Sequence, residues 1–322
     1  MRYVALEEHF AIPELMRQWP SAWGEGEILF SQSFIGEVER RLPEFTEYRL
    51  KDMDAAGIDI QVLSHTVPGV QIDADPATAR DHARFANDYL ARVIAEHPDR
   101  FRGFAALPTQ DPKAAAEELD RAVHELGFCG ALVNDHFDGH YLDEPQFDEI
   151  WAALEDLSVP LYLHPGFPPA DRWKVLEGRP ELQGAMWAWA AEESGHTLRL
   201  VVGGVFDRHP GATLIIGHMG EFLPFMRSRL DSRYRTLNHD PELQRMPSAY
   251  IGSNVVITNS GVFSPAALTG VVLEMGADAV MFSVDYPYES CSEAVAGFER
   301  TTLADADREK IAHGNAERIL RL

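Results

Sequence analysis

Short apolar runs alternate with longer amphipathic stretches along the whole chain, and this alternation limits the fold more than any other feature. Eight runs read as strands, near residues 3–8, 59–64, 101–107, 128–133, 159–163, 212–217, 252–257 and 278–283. Each is too short for a helix and carries the apolar density of a buried strand. Between them lie helical patterns. Thr46–Ala56 has Leu50, Met53 and Ala56 at helical spacing and stops at Gly57, a residue free to take the left-handed stop position. Pro76–His97 ends at Pro98, and Asp111-Pro112 opens a helix toward Gly127 as N-cap and first-turn proline. Asp143–Leu157, Gln183–Arg208, Gly220–Leu237 and Ser264–Met275 follow. Eight strands, each followed by a helix, predict an α/β fold: a (β/α)8 barrel with residues 1–322 as one domain.

Three stretches exceed what a barrel loop needs: residues 11–45, 165–182 and 238–250. Insertions in βα loops lie on the catalytic face of a barrel. Trp19, Trp23, Phe30 and Trp173 are therefore candidates to roof a pocket, with Trp23 the one assigned to substrate binding. Loop packing or a subunit contact is the better explanation for any one of them taken singly. Ser292–Leu322 reads as helices closing the bottom of the barrel.

A formal charge of −23, from 28 basic against 51 acidic residues, argues against nucleic acid and anionic membranes, which need a basic footprint. An anionic substrate would require locally concentrated positive charge, such as a metal with arginines. Cys129 and Cys291 give neither a disulfide framework nor zinc-finger spacing and are expected in the core. The chain opens on a strand pattern without a basic-then-apolar leader, and no apolar run is long enough to span a bilayer. The cytoplasm is the expected location.

Chemistry gathers at the ends of the strands. Glu7 and His9 close the first run, and side chains at i and i+2 of a strand share a face. His164 follows Pro160-Leu161-Tyr162-Leu163, His218 follows Leu214-Ile215-Ile216-Gly217, and Asp285 follows Val280-Met281-Phe282-Ser283-Val284. A lone histidine at such a place is more often a structural hydrogen-bonder. Four such sites, from strands 1, 5, 6 and 8, converge on one mouth if the barrel closes, and their oxygen and nitrogen donors suit zinc or manganese.

Pro165-Gly166 turns the chain directly after His164 and fixes its imidazole at the rim. His218 and Glu221 are three apart, so on a helix they share a face. Glu221 then either orients His218 or serves as a helix-start carboxylate. Asp285, at the end of a buried strand, is costly unless it meets a cation, and a carboxylate touching metal and substrate can carry a proton.

Five segments carry a family resemblance: Val4-Ala5-Leu6-Glu7-Glu8-His9-Phe10, Pro98-Asp99-Arg100-Phe101-Arg102-Gly103-Phe104, Leu163-His164-Pro165-Gly166, Gly217-His218-Met219-Gly220-Glu221 and Phe282-Ser283-Val284-Asp285-Tyr286-Pro287. Together with Leu198–Pro210 they resemble the aromatic decarboxylases of the amidohydrolase superfamily, above all those acting on γ-resorcylate (2,6-dihydroxybenzoate) and 2,3-dihydroxybenzoate. The resemblance covers nearly the whole chain. It implies a metal-dependent barrel assembled as a homodimer or homotetramer, taking a small aromatic carboxylate. Glu7, His9, His164 and Asp285 are the implied ligands of one divalent metal per subunit, Zn2+ or Mn2+. Asp285, His218 and Glu221 are the implied catalytic groups. Arg229 is the implied carboxylate binder, against the plainer reading of a solvated helix arginine near Asp231. Arg49 is the implied contribution across a subunit interface.

Hydrolases of that superfamily commonly begin with His-x-His, and many bridge two metals with a modified lysine. This chain has Glu-x-His, and its fourth run ends in Val133-Asn134-Asp135 without a lysine. One metal and a weaker electrophile follow, which favours decarboxylation of an ortho-hydroxylated benzoate to CO2 and a phenol. The alternatives are a metal-dependent hydrolase or hydratase acting on a lactone or unsaturated acid, and a catalytically dead barrel that only binds.

Overall fold

The structure is a computed structural model, and it describes residues 1–19, 30–169 and 173–322. Its strands are β1 (Val4–Phe10), β2 (Ile60–His65), β3 (Phe101–Gly103), β4 (Ala105–Ala106), β5 (Ala131–Asn134), β6 (Leu161–His164), β7 (Leu214–Ile216), β8 (Val255–Thr258) and β9 (Val280–Met281). They form two ladders in chain order, β1-β2-β3 and β4 to β9, with every pair parallel. Two joins close the ring. Between β3 and β4, Phe104 N donates to Leu63 O at 2.9 Å, so the run expected as one strand over 101–107 is one strand with a local break. Beyond β9, His9 N donates to Tyr286 O at 2.7 Å and Asp285 N to Glu7 O at 3.1 Å. All eight expected runs fall on strand positions of a (β/α)8 barrel.

The helices show the capping chemistry the sequence carries. Asp75 accepts from Thr78 N at 2.9 Å at the head of Pro76–Glu96, and Asp111 accepts from Ala114 N at 3.2 Å at the head of Pro112–His124. Thr46–Leu50 forms a wide π-type turn that continues as Lys51–Ala56 and ends at Gly57, φ +75°. Three expected helices are shorter. Asp143–Leu157 starts at Asp148, and Gln183–Arg208 divides into Ala188–Val202 and Val205–Arg208 around Gly204 at φ +70°. Gly220–Leu237 becomes Leu223–Tyr234, because the residues before it wind left-handed. Among its described residues the insertion over 11–45 holds two helices, Pro13–Met16 and Gln32–Arg41, that periodicity did not predict. Trp23 lies outside the described residues.

Two apolar layers position the site. Inside the barrel, Val4, Leu6, Ile60, Val62, Leu132, Tyr162, Ile215, Val256 and Met281 pack together with Ala316 and Leu320 of the helix Asn315–Leu320. That helix plugs the bottom, as expected of the C-terminal segment, and Asn315 Nδ2 locks it by donating to Ala277 O and Val280 O at 2.7 and 2.8 Å. Outside, alternate strand residues such as Ala5, Val133, Leu163, Leu214 and Ile257 meet the helices. The interior is therefore filled from below and open for chemistry only at the C-terminal ends of the strands. Both cysteines are buried and free.

Candidate metal centre

Which face Glu7 and His9 occupy is decided by a bulge in β1. Ala5 pairs with Gln61, but Glu8 pairs with Leu63, so three steps of β1 span two of β2. Val4 and Leu6 point into the barrel. Strict alternation from there would carry Glu8 inward and turn Glu7 and His9 out toward the helices. The extra residue reverses this. Glu8 instead sits in the barrel wall, accepting from Gln61 Nε2 at 3.0 Å, Val284 N at 2.9 Å and Ser283 Oγ at 3.3 Å. Burial pushes its pKa up to about 8.

Inside the mouth the four expected ligands meet. One donor atom from each of Glu7, His9, His164 and Asp285 lies within 4.8 Å of the others. Glu7 Oε1 is 3.5 Å from His164 Nε2, and His9 Nε2 is 3.3 Å from Asp285 Oδ1. Glu7 Oε1, His9 Nε2 and Asp285 Oδ1 are buried yet have no hydrogen-bond partner among the described residues. Such convergence is expensive without a cation to satisfy it, so the donor set fits a single divalent ion of the zinc or manganese type. Burial holds the His9 and His164 imidazoles neutral, with pKa values pushed down to about 4 and about 3, so both offer lone pairs at neutral pH.

Supporting groups aim these ligands. Glu7 Oε2 accepts from Tyr162 Oη and from Ser260 Oγ, which leaves Oε1 for the ion. Tyr162 Oη also lies 2.8 Å from Thr258 Oγ1. Gly217 makes room, since a Cβ there would fall 2.5 Å from Glu7 Oε2. Ser64 Oγ lies 3.4 Å from His9 Nδ1 and steadies the ring with Nε2 toward the centre. The sequence reading passed over Tyr162 and Ser260. Their signal was present: Tyr162 stands two residues before His164, and Thr258-Asn259-Ser260 is a polar run at the end of β8, an end to which no role had been given.

His218 and Glu221 do pair, with Nδ1 and Oε1 2.7 Å apart, but no right-handed helix brings them together. His218, Met219, Gly220, Glu221 and Phe222 all have φ between +44° and +77°. This left-handed turn costs roughly 1–2 kcal/mol at each non-glycine residue, and strain of this kind gathers at functional sites. Ser260 Oγ, accepting from His218 N at 2.9 Å, helps hold it. His218 Nε2 then stands 3.7 Å from Asp285 Oδ2 and 3.5 Å from Glu7 Oε1. Burial opposes charge on His218, but the carboxylates of Glu7, Glu221 and nearby Asp285 outweigh it and raise the pKa well above the usual value. A cation at the centre would cancel part of the Glu7 contribution.

The expected arginines are not at the pocket. Arg49 is fully buried within its own chain, donating to His9 O and, at 3.0 Å, to Gln61 Oε1, with its guanidinium 4.5 Å from the Tyr286 ring centre. It braces the bulged strand from inside its own chain. Arg229 is exposed on Leu223–Tyr234 and does not line the cavity of its own chain, and Asp231 is engaged by Ser248. The cavity above the ligands is walled by Phe34, Leu42, Val67, Phe167, Trp189 and Tyr288, with Glu39 and Glu289 among its polar groups. No lysine or arginine lines it among the described residues.

Comparisons with known proteins agree with this geometry. The profile of the amidohydrolase family matches residues 7–322. The chain is 44% identical over 327 residues to γ-resorcylate decarboxylase of Rhizobium sp. (strain MTP-10005), covering 99% of this chain and 98% of that one. A crystal structure of 2,6-dihydroxybenzoate decarboxylase complexed with 2,6-dihydroxybenzoate superposes with a TM-score of 0.92 at 43% identity, covering 100% of both chains. The dihydroxybenzoic acid decarboxylase of Polaromonas sp. JS666, with bound manganese and the inhibitor 2-nitroresorcinol, matches with a TM-score of 0.92 at 39% identity, covering 99% of this chain and 97% of that one. With the barrel, the Glu-x-His strand and full-length similarity in agreement, the chain belongs to the amidohydrolase family.

Proposed function

We propose that this protein is a metal-dependent decarboxylase that converts 2,6-dihydroxybenzoate to resorcinol and CO2. The observation that carries the reading is the set of unpartnered ligand atoms on Glu7, His9 and Asp285 beside His164, opening onto an apolar, ring-sized cleft. Full-length similarity to decarboxylases of this substrate supports it.

Glu7, His9, His164 and Asp285 would hold the ion, and a divalent cation there supplies positive charge to anchor the carboxylate and the adjacent ortho oxygen. In a strongly acidic chain with no lysine or arginine in the described pocket wall, that charge, together with the His218 imidazole, offsets repulsion of the anion. Asp285, reaching both the ligand cluster and the cavity, gives a proton to the ring carbon that bears the carboxylate. The carbon–carboxylate bond then breaks, its electron pair returns to the ring, and CO2 leaves as aromaticity is restored. His218, beside Asp285 Oδ2, stabilises the phenolic oxygen and replenishes the proton. Phe167 and Trp189, their ring centres 5.3 Å apart, provide an edge-to-face wall for the substrate ring.

An ortho hydroxyl is required both to anchor the substrate and to push electrons into the ring. Resorcinol and CO2 should therefore form from 2,6-dihydroxybenzoate with manganese- or zinc-loaded protein, while 4-hydroxybenzoate is turned over poorly. Equal rates on the two acids would defeat the proposal, and a ring-opened or hydrated product would point to hydrolase or hydratase chemistry instead. A homodimer or homotetramer remains part of this reading, supported by Trp187, Phe222, Phe225, Met226 and Leu273, which are large, apolar and exposed. The cytoplasm remains its proposed location. No described helix is long and apolar enough to cross a membrane.

A further inference from the structure

Glu193, on Ala188–Val202, is fully buried and belongs to no ligand set used above. Among the described residues, no hydrogen-bond donor reaches either of its carboxylate oxygens. Its Oε2 stands 3.9 Å from His218 Nδ1, the same nitrogen that meets Glu221 Oε1. A donor atom from each of Glu193, His218 and Glu221 lies within 4.8 Å of the others, and Glu221 is only 3% exposed. The charges that bear on Glu193 most are Glu221, His218 and Glu7. Two carboxylates this close, shut off from water and sharing one imidazole, do not both ionise; one keeps a proton.

We propose that Glu193 is a positioning residue for the decarboxylation: it retains a proton and donates it to Glu221, which then holds the Nδ1–H of His218 and keeps Nε2 turned toward Asp285. The proposal rests on the functional reading of His218 and Asp285 given above. The division of roles follows from contact. Glu221 already accepts from His218 and needs its negative charge to do so. Glu193, with both oxygens unpartnered, gains a bond by keeping the proton. Burial and, next, the Glu221 charge push its pKa well above the ordinary carboxylate range, in the same direction. A donor behind Glu221 is needed because that side chain leaves a strained left-handed turn, where nothing in a regular helix would fix its angle.

Two substitutions and one spectroscopic measurement test this. Glu193→Gln keeps an N–H for Glu221 and should hold kcat on 2,6-dihydroxybenzoate within about threefold of the parent. Glu193→Leu fills the same space without a donor, and its thermal unfolding beside that of the parent checks that it folds. It should bind manganese at the parent stoichiometry yet lose about tenfold or more in kcat with little change in KM, the size of effect expected when a partner orienting a site group is removed. A leucine variant as active as the parent overturns the proposal, and so does a glutamine variant that falls as far as leucine. Infrared difference spectra of parent minus Glu193→Gln should show the C=O stretch of a protonated carboxylic acid. Its absence overturns the proposal even with activity present. Its presence in a protein that turns over no hydroxybenzoate would uphold the shared proton while removing its link to decarboxylation.

Discussion

Tyr162→Phe removes one oxygen atom from beneath the metal centre, and its effect can be worked out from the contacts that remain. Glu7 Oε2 accepts from both Tyr162 Oη and Ser260 Oγ, while Oε1 is left for the ion. A hydrogen bond to a charged group contributes about 1.5–3 kcal/mol. Ser260 stays in place, so the lower end applies, and about 1.5 kcal/mol corresponds to roughly a tenfold change in an equilibrium constant. That loss falls on metal affinity, because a Glu7 carboxylate held on one side can turn Oε1 away from His9 and His164; groups that orient metal ligands typically contribute about 10–100-fold. The fold should change less. The phenyl ring keeps its place among Phe104, Leu132 and Ile215 in the barrel interior. The assay is competition for manganese against a chromophoric chelator, with thermal unfolding of metal-free protein alongside. Manganese affinity within twofold of the parent, or tighter, would refute the reasoning. So would a metal-free protein destabilised by as much as the whole loss of affinity, since the hydroxyl would then serve the fold and not the ligand.

Four further substitutions bear on the site and its surroundings. Asp285→Asn removes the proposed proton donor and should lower kcat by roughly 10²–10⁴-fold; a fully active variant would dismiss Asp285 from that role. His164→Ala should reduce bound metal, and unchanged stoichiometry would remove His164 from the ligand set. Gly217→Ala puts a Cβ 2.5 Å from Glu7 Oε2 and should weaken metal binding while secondary structure by circular dichroism is retained; unaltered metal content would show that Glu7 yields at no cost. His65 is buried, and desolvation lowers its pKa to about 4. The unfolded chain takes up that proton near pH 6.5 and the folded protein refuses it, so the contribution is complete above pH 6.5 and lost as pH falls toward 4, about 3 kcal/mol in all. In urea titrations the parent should therefore lose more stability than His65→Phe between pH 7 and 4, and parallel pH profiles would show that His65 is not the group responsible.

The left-handed turn from His218 to Phe222 shows how far local preference can be overridden. Five residues in succession, four of them not glycine, adopt positive φ, against the steric preference of L-residues. The turn places His218 beside Asp285 and Glu221 beneath it, and the following helix starts three residues later than the apolar pattern suggested. A regular helix from Gly220 would have kept the i, i+3 relation of the two side chains while changing the direction of both. Agreement on the pair thus came with a different cause.

Much of this molecule is set by local pattern. The eight apolar runs, the proline and aspartate that open helices at 75–76 and 111–112, and the glycine stop at 57 act through nearest neighbours, so they are legible without the fold. Glu7, His9, His164, His218 and Asp285 were legible too, because a barrel brings every strand end to one mouth whatever lies between, while the choice of four of them as a ligand set came from the family resemblance. Contacts between distant segments decided the rest. The β1 bulge, which turns Glu7 and His9 inward, exists only against the register of β2. Arg49 is a brace because His9 O and the Tyr286 ring close over it, and Arg229 lies on the exposed side of Leu223–Tyr234. Tyr162, Ser260 and Glu193 acquire roles only where β6, β8 and the helix Ala188–Val202 meet. Periodicity says which residues share a face; packing across the barrel decides which way that face looks and what is left there without a partner.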